Sequence, residues 1–318
     1  MKIRLTTTIV ATAAILLTGC AGQSSDSTTG GSAVTATNCG RTLDFDHTPE
    51  RIVSLWPTIT ETLIALGAAD RVAGQAYTDQ SPPLPQYAEA YDKVKVLGTN
   101  AISKEVLFAA RPDLVIADGE YHFDGTELPT IDELKSLGVN VYIVSSFCNG
   151  KVTTGKVRDV LTDLTTLGEI LGATERADAA KQQVEDALTA AEAKVAGTPA
   201  VPLLLCQVYD SALYADAEGL YSDVVTLAGG RNIFDGELPQ DQYYAQVSVE
   251  DVARKNPGTI VYLANSEDER ASTEAYLRRT FPNVDAIRNN RLIPLPSVSF
   301  INLRAVNGVT DLAAALHP

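Results

Sequence analysis

The stretch RIVSLWPTITETLIALGAADRVAG, residues 51–74, decides the fold because the spacing of its apolar residues changes within it. Residues 51–55 are apolar and β-branched and run into Trp-Pro, which predicts a short buried strand. From Thr58 onward the apolar spacing is helical, and Gly67 ends the predicted helix. The residues on its apolar face are Ile59, Leu63 and Leu66. This stretch therefore predicts a strand–turn–helix unit that opens an α/β domain.

The turn of this unit is a candidate ligand site. In open α/β sheets, ligands bind beyond the carboxyl ends of the strands. Trp56, Pro57 and Thr58 occupy such an end.

Strand-like and helical runs alternate along the rest of the chain, which predicts mostly parallel sheets. One long helix is predicted from Thr174 to about Val195, and a Gly-Thr-Pro run stops it. Its apolar stripe comprises Ala177, Ala180, Val184, Leu188, Ala191 and Val195. We therefore expect an α/β protein of two Rossmann-like lobes, residues 39–172 and 198–318, joined by a single long helix at 173–197. A ligand cleft is expected between the lobes.

The two predicted lobes share a local pattern. Residues 103–116 read SKEVLFAARPDLVI, and residues 248–261 read SVEDVARKNPGTIV. Each begins with Ser, has Glu two residues later and Pro seven residues after that, and then enters a predicted strand. The recurrence supports two lobes built on one plan.

The amino terminus is typical of a secretion signal. Lys2 and Arg4 precede the apolar run TIVATAAILL, which is too short to be a permanent membrane span. The run ends in LTGC, which resembles a bacterial lipobox and implies cleavage before Cys20 and lipidation of its thiol. We therefore expect a lipoprotein signal peptide at 1–19 and a flexible Gly/Ser/Thr-rich tether at 20–38.

Composition and charge exclude some classes of partner. The 318-residue chain has 45% hydrophobic residues, 20% charged residues and a net charge of −15 at pH 7. Its length favours more than one domain. The negative charge argues against binding to nucleic acid and against adsorption to anionic lipid.

Three cysteines follow Cys20. Cys206 lies in a predicted buried strand, where a free thiol behaves as a small hydrophobic group. Cys39 precedes the first predicted strand and Cys148 follows the strand VNVYIVSS, so both are at element ends in the same half. Because an extracytoplasmic pair oxidises, we predict a Cys39–Cys148 disulfide.

The chain resembles the substrate-binding lipoproteins of ABC importers for iron–siderophores, haem and vitamin B12. The resemblance covers roughly residues 41–318. The motifs that carry it are RIVSLWPTITETLIALGAADRVAG, RPDLVIA, LAGGRNIF and NNRLIPLP. It implies two α/β lobes bridged by one rigid helix, with a small hinge movement. None of these motifs is specific for the ligand.

The resemblance also implies that one glutamate on each lobe docks onto arginines of the permease. The matching positions are Glu105 and Glu250. A structural explanation competes with this one, because Ser103 and Ser248 are predicted helix N-caps and an acid in the first turn favours the helix dipole.

Ligand contacts are expected just beyond the strand ends, where aromatic side chains supply contact area and Arg304 could pair with an anionic chelate. Capping of the sheet edge is an equally good explanation of Arg304. The candidates are Trp56, Pro57, Thr58, Tyr77, Tyr121, His122, Phe147, Tyr209, Tyr214, Tyr243, Tyr244, Asn265, Ser299, Phe300 and Arg304.

His122 is the only central histidine, since His47 and His317 lie near the ends of the folded region. It could ligate haem iron or fill an open position on a ferric chelate, although a solvated loop histidine is the commoner outcome. Residues that could oppose it are Tyr221, Tyr243 and Tyr244. A bare metal site is not expected, because such sites need three or four converging His, Asp or Glu ligands.

These observations favour a lipid-anchored, monomeric solute-binding protein over a secreted enzyme or a structural surface protein. The sequence has no GxSxG, HExxH, GxxxxGK[ST] or GxGxxG motif. We expect a ferric siderophore as ligand, with haem, a corrinoid or a deazaflavin cofactor precursor as alternatives and no covalent cofactor. The expected partner is a permease dimer with cytoplasmic ATPases.

Overall fold

The computed structural model describes residues 33–150 and 154–318. The expected signal peptide and lipidated Cys20 lie outside the described residues. The expected tether is described only at its end, where residues 34–38 form a strand rather than a flexible linker. No helix in the described ranges combines the length and the apolar character needed to cross a bilayer.

The amino-terminal half contains a parallel sheet and a separate hairpin. Its strands are β1 (Val34–Asn38), β2 (Arg41–Phe45), β3 (Ile52–Ser54), β4 (Val72–Gln75), β5 (Leu114–Ala117) and β6 (Asn140–Ile143). Its helices are α1 (Pro57–Ala65), α2 (Ala88–Tyr91), α3 (Lys104–Ala109), α4 (Ile131–Ser136) and α5 (Asp159–Ile170). The sheet has the order β4-β3-β5-β6 with every pair parallel. Its strands are almost entirely buried, as in sheets that are covered on both faces.

The β1–β2 hairpin was not predicted. Cys39 therefore lies in a hairpin turn and not ahead of the first strand. Asn38 holds the turn against β6: its Nδ2 donates to the Ile143 carbonyl over 2.8 Å, and the Ile143 amide donates to its Oδ1 over 2.7 Å. The structure contains the expected Cys39–Cys148 disulfide, which confirms that prediction. Short Thr-rich strands after a Gly/Ser/Thr-rich run resemble linker sequence, which is why the pattern did not reveal them.

A single helix, α6 (Thr174–Val195), connects this half to the next, at the bounds that the sequence predicted. Four residues of the predicted stripe are buried, namely Ala177, Val184, Leu188 and Ala191. Ala180 and Val195 are partly buried and pack at the edge of the same core.

The carboxy-terminal half contains a mixed sheet. Its strands are β7 (Val201–Tyr209), β8 (Ala212–Asp216), β9 (Gly230–Asn232), β10 (Tyr244–Gln246), β11 (Thr259–Leu263) and β12 (Leu292–Leu295). Its helices are α7 (Gly219–Leu227), α8 (Val249–Lys255), α9 (Glu267–Thr280), α10 (Asp285–Arg288) and α11 (Leu303–Leu316).

The order β10-β8-β7-β11-β12 places two antiparallel pairs beside the parallel ones, whereas the sequence predicted mostly parallel pairing. The reason is local. β7 turns directly into β8 through Asp210 and Ser211, and both have positive φ angles, as a type I′ hairpin turn requires.

One hydrophobic core runs through both halves. It contains residues of the parallel sheet, of α6 and of α11 together with Leu203, Leu205 and Val261 of the mixed sheet. A smaller cluster covers the other face of the mixed sheet. Because the main core is continuous, the two sheets are held in one packed body around α6 and α11.

Candidate functional site

A cavity of about 380 Å³ lies between the two sheets. Its lining residues come from both halves: Trp56, Gln80, Asp118, Gly119, Glu120, Tyr121, Phe147, Tyr221, Tyr243, Ser297 and Ile301. A second cavity, of about 420 Å³, shares Tyr221, Tyr243 and Ser297 with it. The second is also lined by Gln207, Tyr209, Tyr214, Tyr244 and Leu263. We call the two connected cavities the cleft.

The topology explains why these side chains meet. Asp118 directly follows β5, Trp56 follows β3 and Phe147 follows β6, and these three strands are parallel neighbours. Ser297 follows β12 in the other sheet, and Tyr221 lies in the first turn of α7. The cleft therefore opens at the carboxyl ends of the parallel strands, the usual ligand position in open α/β sheets.

The amino-terminal wall is a row of rings. Ring centroids lie 5.5 Å apart for Trp56 and Tyr77, 5.1 Å for Tyr77 and His122, and 4.2 Å for His122 and Tyr121. The buried Asp118 anchors the row, accepting hydrogen bonds from His122 Nε2 over 2.7 Å and from the Tyr121 hydroxyl over 2.8 Å. The wall is thus a hydrogen-bonded aromatic surface with one carboxylate beneath it.

The carboxy-terminal wall is a stack of three rings. Phe300 and Tyr221 have centroids 5.0 Å apart and nearly parallel planes, and Tyr221 and Tyr243 are stacked at 5.2 Å. Tyr244 and Tyr214 extend the aromatic surface from the edge of the stack. Offset stacking of this kind holds each ring in place, so the wall is rigid.

The hydroxyls of the stacked Tyr221 and Tyr243 are protonated at neutral pH. Burial raises the pKa of Tyr243 to about 12, and burial also raises the pKa of Tyr221 well above the ordinary tyrosine value. These groups can donate and accept hydrogen bonds, but a phenolate ready to bind a metal is disfavoured.

Seven of the fifteen predicted contact residues line the cleft: Trp56, Tyr121, Phe147, Tyr209, Tyr214, Tyr243 and Tyr244. Three stand behind the walls and support the lining rings, namely Tyr77, His122 and Phe300. The remaining five are not among the lining residues, namely Pro57, Thr58, Asn265, Ser299 and Arg304.

Four of these five are explained by burial or by hydrogen bonding. Pro57 and Thr58 are buried in the first turn of α1, because the chain turns inward after Trp56. Ser299 is buried beneath the loop ahead of α11. Asn265 holds the cleft from outside: its Oδ1 accepts from the backbone amide and the hydroxyl of Ser297.

Arg304 does not contact the cleft, contrary to its predicted role as an anion partner. Its guanidinium forms a buried ion pair with Glu61 and also donates to the Ser81 hydroxyl and the Pro82 carbonyl. All three of its nitrogens are therefore engaged within the protein. Capping of the sheet edge at the surface is also wrong for Arg304, because only 6% of the residue is exposed.

His122 does not present a free ring nitrogen. Nε2 bonds to Asp118, and Nδ1 lies 3.2 Å from the Tyr77 hydroxyl. Metal ligation through His122 would require breaking one of these contacts. Within the described ranges, no group of three or more His, Cys, Asp or Glu side chains could hold a metal ion.

Sequence reasoning considered Tyr221 only as a haem ligand and missed eight lining residues, namely Gln80, Asp118, Gly119, Glu120, Gln207, Leu263, Ser297 and Ile301. The strand-end rule that selected Trp56 also selects Asp118, the residue directly after β5, so a signal was present. No comparable signal identifies Gln80, which lies in a long loop after β4.

The two proposed docking glutamates have similar settings. Glu105 and Glu250 are exposed in the first turns of α3 and α8. The Ser248 hydroxyl caps α8 by accepting from the Asp251 amide, as predicted, whereas Ser103 makes no such capping bond to α3. A hydrogen bond with the Ser103 side chain instead lowers the pKa of Glu105. Both residues are therefore accessible at the protein surface.

Comparisons with known proteins agree with this geometry. The sequence profile of a family described as "Periplasmic binding protein" matches residues 52–298. A vitamin B12-binding protein of Vibrio parahaemolyticus is 26% identical over 266 residues, covering 83% of this chain and 88% of the relative. Another, from Pectobacterium atrosepticum, is 28% identical over 232 residues, covering 72% and 76%.

Solved structures share the fold. A periplasmic binding protein from Veillonella parvula superposes with a TM-score of 0.79 at 24% identity, covering 90% of this chain and 97% of the other. A structure titled as an ABC-type Fe3+-hydroxamate transport system from Saccharomonospora viridis superposes with a TM-score of 0.70 at 23% identity. The match covers 90% of this chain and 99% of the other. A periplasmic heme binding protein from Pseudomonas aeruginosa superposes with a TM-score of 0.66 at 25% identity. The match covers 85% of this chain and 93% of the other.

Proposed function

Because this chain belongs to the periplasmic binding protein family, we propose that it captures a metal chelate outside the cytoplasmic membrane and delivers it to a permease. Proteins of this family bind small molecules for ABC importers, work with permease and ATPase subunits, and are not enzymes. Energy for transport comes from ATP hydrolysis in the partner subunits, so no covalent chemistry is asked of this chain.

The observation that carries the proposal is the aromatic cleft between the two sheets. Each of its cavities falls within the range of about 300–1,000 Å³ that ligand sites typically occupy. Both walls are aromatic, and the rings are held by stacking and hydrogen bonds before any ligand arrives. A preformed apolar surface of this kind suits the faces of a bulky, rigid chelate.

Two ligand classes have specific support. A ferric siderophore is our first candidate, and the Fe3+-hydroxamate title of a structure with the same fold is consistent with it. A corrinoid is the second, because curated relatives that cover most of this chain are vitamin B12-binding proteins. Haem has less support, since both ring nitrogens of His122 are engaged and no Lys or Arg is among the described residues that line the cleft to meet propionates. No observation favours a deazaflavin precursor.

We further propose that the protein acts as a lipid-anchored monomer. The LTGC sequence supports attachment through Cys20. The exposed Glu105 and Glu250, in matching helices of the two halves, support docking onto a permease dimer.

A binding titration tests the proposal. Trp56 is the only tryptophan of the chain and lines the cleft, so its fluorescence reports on ligand entry. Residues 33–318 are titrated with a ferric trihydroxamate, a ferric tricatecholate, cyanocobalamin and haem, with thermal shift as a check on absorbance by the ligand. We expect saturable quenching and a raised Tm with one hydroxamate or corrinoid probe. The absence of both effects with every probe would overturn the proposal.

A further inference from the structure

The charged side chains in the described lining of the cleft are all acidic. Among the described residues that line the two cavities, the only ionisable acids are Asp118 and Glu120, and none is Lys, Arg or His. Ligand sites for anions normally place an arginine or lysine against the ligand. The lining here offers no such group.

Two arginines that contact residues at or beside the cleft form ion pairs within the protein. The guanidinium of Arg304 is held in its buried ion pair with Glu61 and does not reach the cleft. Arg41 forms an ion pair with Glu120, with Nη1 2.5 Å from the carboxylate. Its Nε and Nη2 have no hydrogen-bond partner. Arg41 is not among the described residues that line either cavity. The Arg41–Glu120 pair is neutral as a unit, which leaves Asp118 as the lining acid without an arginine or lysine partner.

Both carboxylate oxygens of Asp118 are hydrogen-bonded, one to His122 Nε2 and the other to the Tyr121 hydroxyl, and Asp118 lies in the cavity lining. Asp216 is buried behind the tyrosines of the opposite wall, and burial raises its pKa well above the ordinary value, which favours its uncharged form. The acidic group that the described lining presents to a ligand without an arginine or lysine partner is therefore the Asp118 carboxylate.

Eight aromatic residues line the cleft around this charge: Trp56, Tyr121, Phe147, Tyr209, Tyr214, Tyr221, Tyr243 and Tyr244. The face of an aromatic ring attracts a cation, by about 0.5–2 kcal/mol per contact depending on desolvation. A carboxylate at the base of such a surface adds to this attraction and repels an anion.

We propose that the cleft selects positively charged ligands, with the cationic part of the chelate on the ring faces near Asp118. This inference rests on the proposed function, because it specifies the charge of the chelate that the importer takes. A chelate with an ammonium group, or a metal complex with a positive net charge, fits this surface. Anionic tricatecholates and haem do not, and a neutral chelate is intermediate.

Matched probes separate charge from shape. One series is the ferric complex of a linear trihydroxamate with a terminal ammonium, its neutral N-acetyl derivative and its anionic N-succinyl derivative. The other series is aquacobalamin, neutral cyanocobalamin and an anionic monocarboxylate of cyanocobalamin. Within the series that binds, we expect the cation to bind at least about tenfold more tightly than the anion. We also expect added salt to weaken binding of the cationic probe more than binding of the neutral probe.

Asp118→Asn tests the assigned residue, since asparagine retains an acceptor for His122 or Tyr121 but removes the charge. We expect it to abolish most of the cation preference. Asp124→Asn is the control, because Asp124 is an exposed acid in the same loop that caps the Thr126 amide; it should leave the preference intact. If Asp118→Asn does not fold, the salt dependence of the wild-type protein still decides.

The outcomes are distinguishable. Equal affinity for all members of a series, or tightest binding of the anion, would overturn the inference and leave the proposed function standing. Tight binding of the anion would indicate that Arg41 contacts the ligand. Binding of only the ferric tricatecholate or haem would also overturn the inference, whereas failure of both series and of these two probes would overturn the proposed function itself.

Discussion

The carboxylate of Glu61 and the guanidinium of Arg304 form a buried bidentate ion pair that joins α1 of the first half to α11 of the second. Arg304 Nε lies 2.8 Å from Oε2 of Glu61, and Nη2 lies 2.7 Å from Oε1. Glu61 is fully buried and Arg304 is 6% exposed. Glu61 also accepts from the Leu84 amide, so the pair ties the loop after β4 to both helices. It fixes the two walls of the cleft relative to one another.

Breaking this pair from one side should strongly destabilise the protein. Glu61→Gln or Arg304→Met leaves one buried group unpaired, which typically costs about 3–5 kcal/mol in the free energy of unfolding. Equilibrium urea denaturation measures this change. The double variant should cost less than the sum of the two single variants, because it leaves no isolated charge.

A surface ion pair provides the control. Arg158 Nη2 lies 2.8 Å from Glu192, but both side chains are nearly half exposed. Arg158→Met should therefore cost less than about 1 kcal/mol. Equal losses at Arg158 and Arg304 would contradict the role of burial.

Asp163 should make stability fall as pH rises. It is fully buried and accepts from the hydroxyls of Tyr142 and Ser145, and burial raises its pKa to about 6. Between the unfolded pKa of 3.8 and about 6, the native state holds a proton that the unfolded state has released. Stability from this group is therefore full below the unfolded pKa and is lost as pH rises through the folded pKa, by about 3 kcal/mol in total.

The measurement is the difference in unfolding free energy between the wild type and Asp163→Asn from pH 4 to pH 7. This difference should shrink steadily with rising pH. Asp186→Asn, at an exposed position on α6, should give a nearly flat difference. Parallel pH profiles for the wild type and Asp163→Asn would refute the assignment.

The Cys39–Cys148 disulfide should stabilise both the fold and one wall of the cleft. It closes a loop with a sequence separation of 109, for which chain entropy predicts about 4–5 kcal/mol. It also fixes the segment that carries Phe147. The double variant Cys39→Ser, Cys148→Ser should therefore have a lower Tm and weaker ligand binding.

Thiol labelling of the native, non-reduced protein checks the pairing independently. Neither Cys39 nor Cys148 should react. Cys206 should also stay unlabelled until the protein unfolds, because burial raises the pKa of its thiol and blocks access. Labelling of Cys39 or Cys148 without reductant would count against the disulfide.

The glutamate pair should matter for transport and not for ligand binding. Glu105→Ala with Glu250→Ala should reduce ligand uptake in cells while leaving the affinity of the isolated protein unchanged, since neither residue lines the cleft. Glu267→Ala removes an exposed first-turn acid from α9 and is the matched control. Normal uptake by the double variant would make docking through these residues untenable.

Several features could be predicted before the fold was known, because they depend on local spacing. The helix from Thr174 to Val195 was placed at both ends by its apolar stripe and its stop signal. The position of Trp56 at a strand end followed from the change between strand-like and helical spacing of the apolar residues on either side of it. The Cys39–Cys148 pairing followed from where the cysteines fall relative to predicted elements.

Other features depend on contacts between distant residues, which spacing does not encode. Glu61 appears in the sequence as one acid within an apolar helix, and Arg304 as one arginine after a strand; 243 positions separate them, and only folding brings them together. The antiparallel β7–β8 pair depends on two left-handed turn residues, Asp210 and Ser211, that carry no glycine signal.

The sequence by itself therefore determined the two-lobe α/β plan, the connecting helix and the aromatic character of the cleft, because periodicity and strand ends are local properties. The tertiary structure alone decided which charged side chains are paired within the protein. It paired Arg304 with Glu61 and Arg41 with Glu120, and it buried His122 against Asp118. The physical reason is that a side chain's charge acts on a ligand only if no nearer partner within the protein neutralises it.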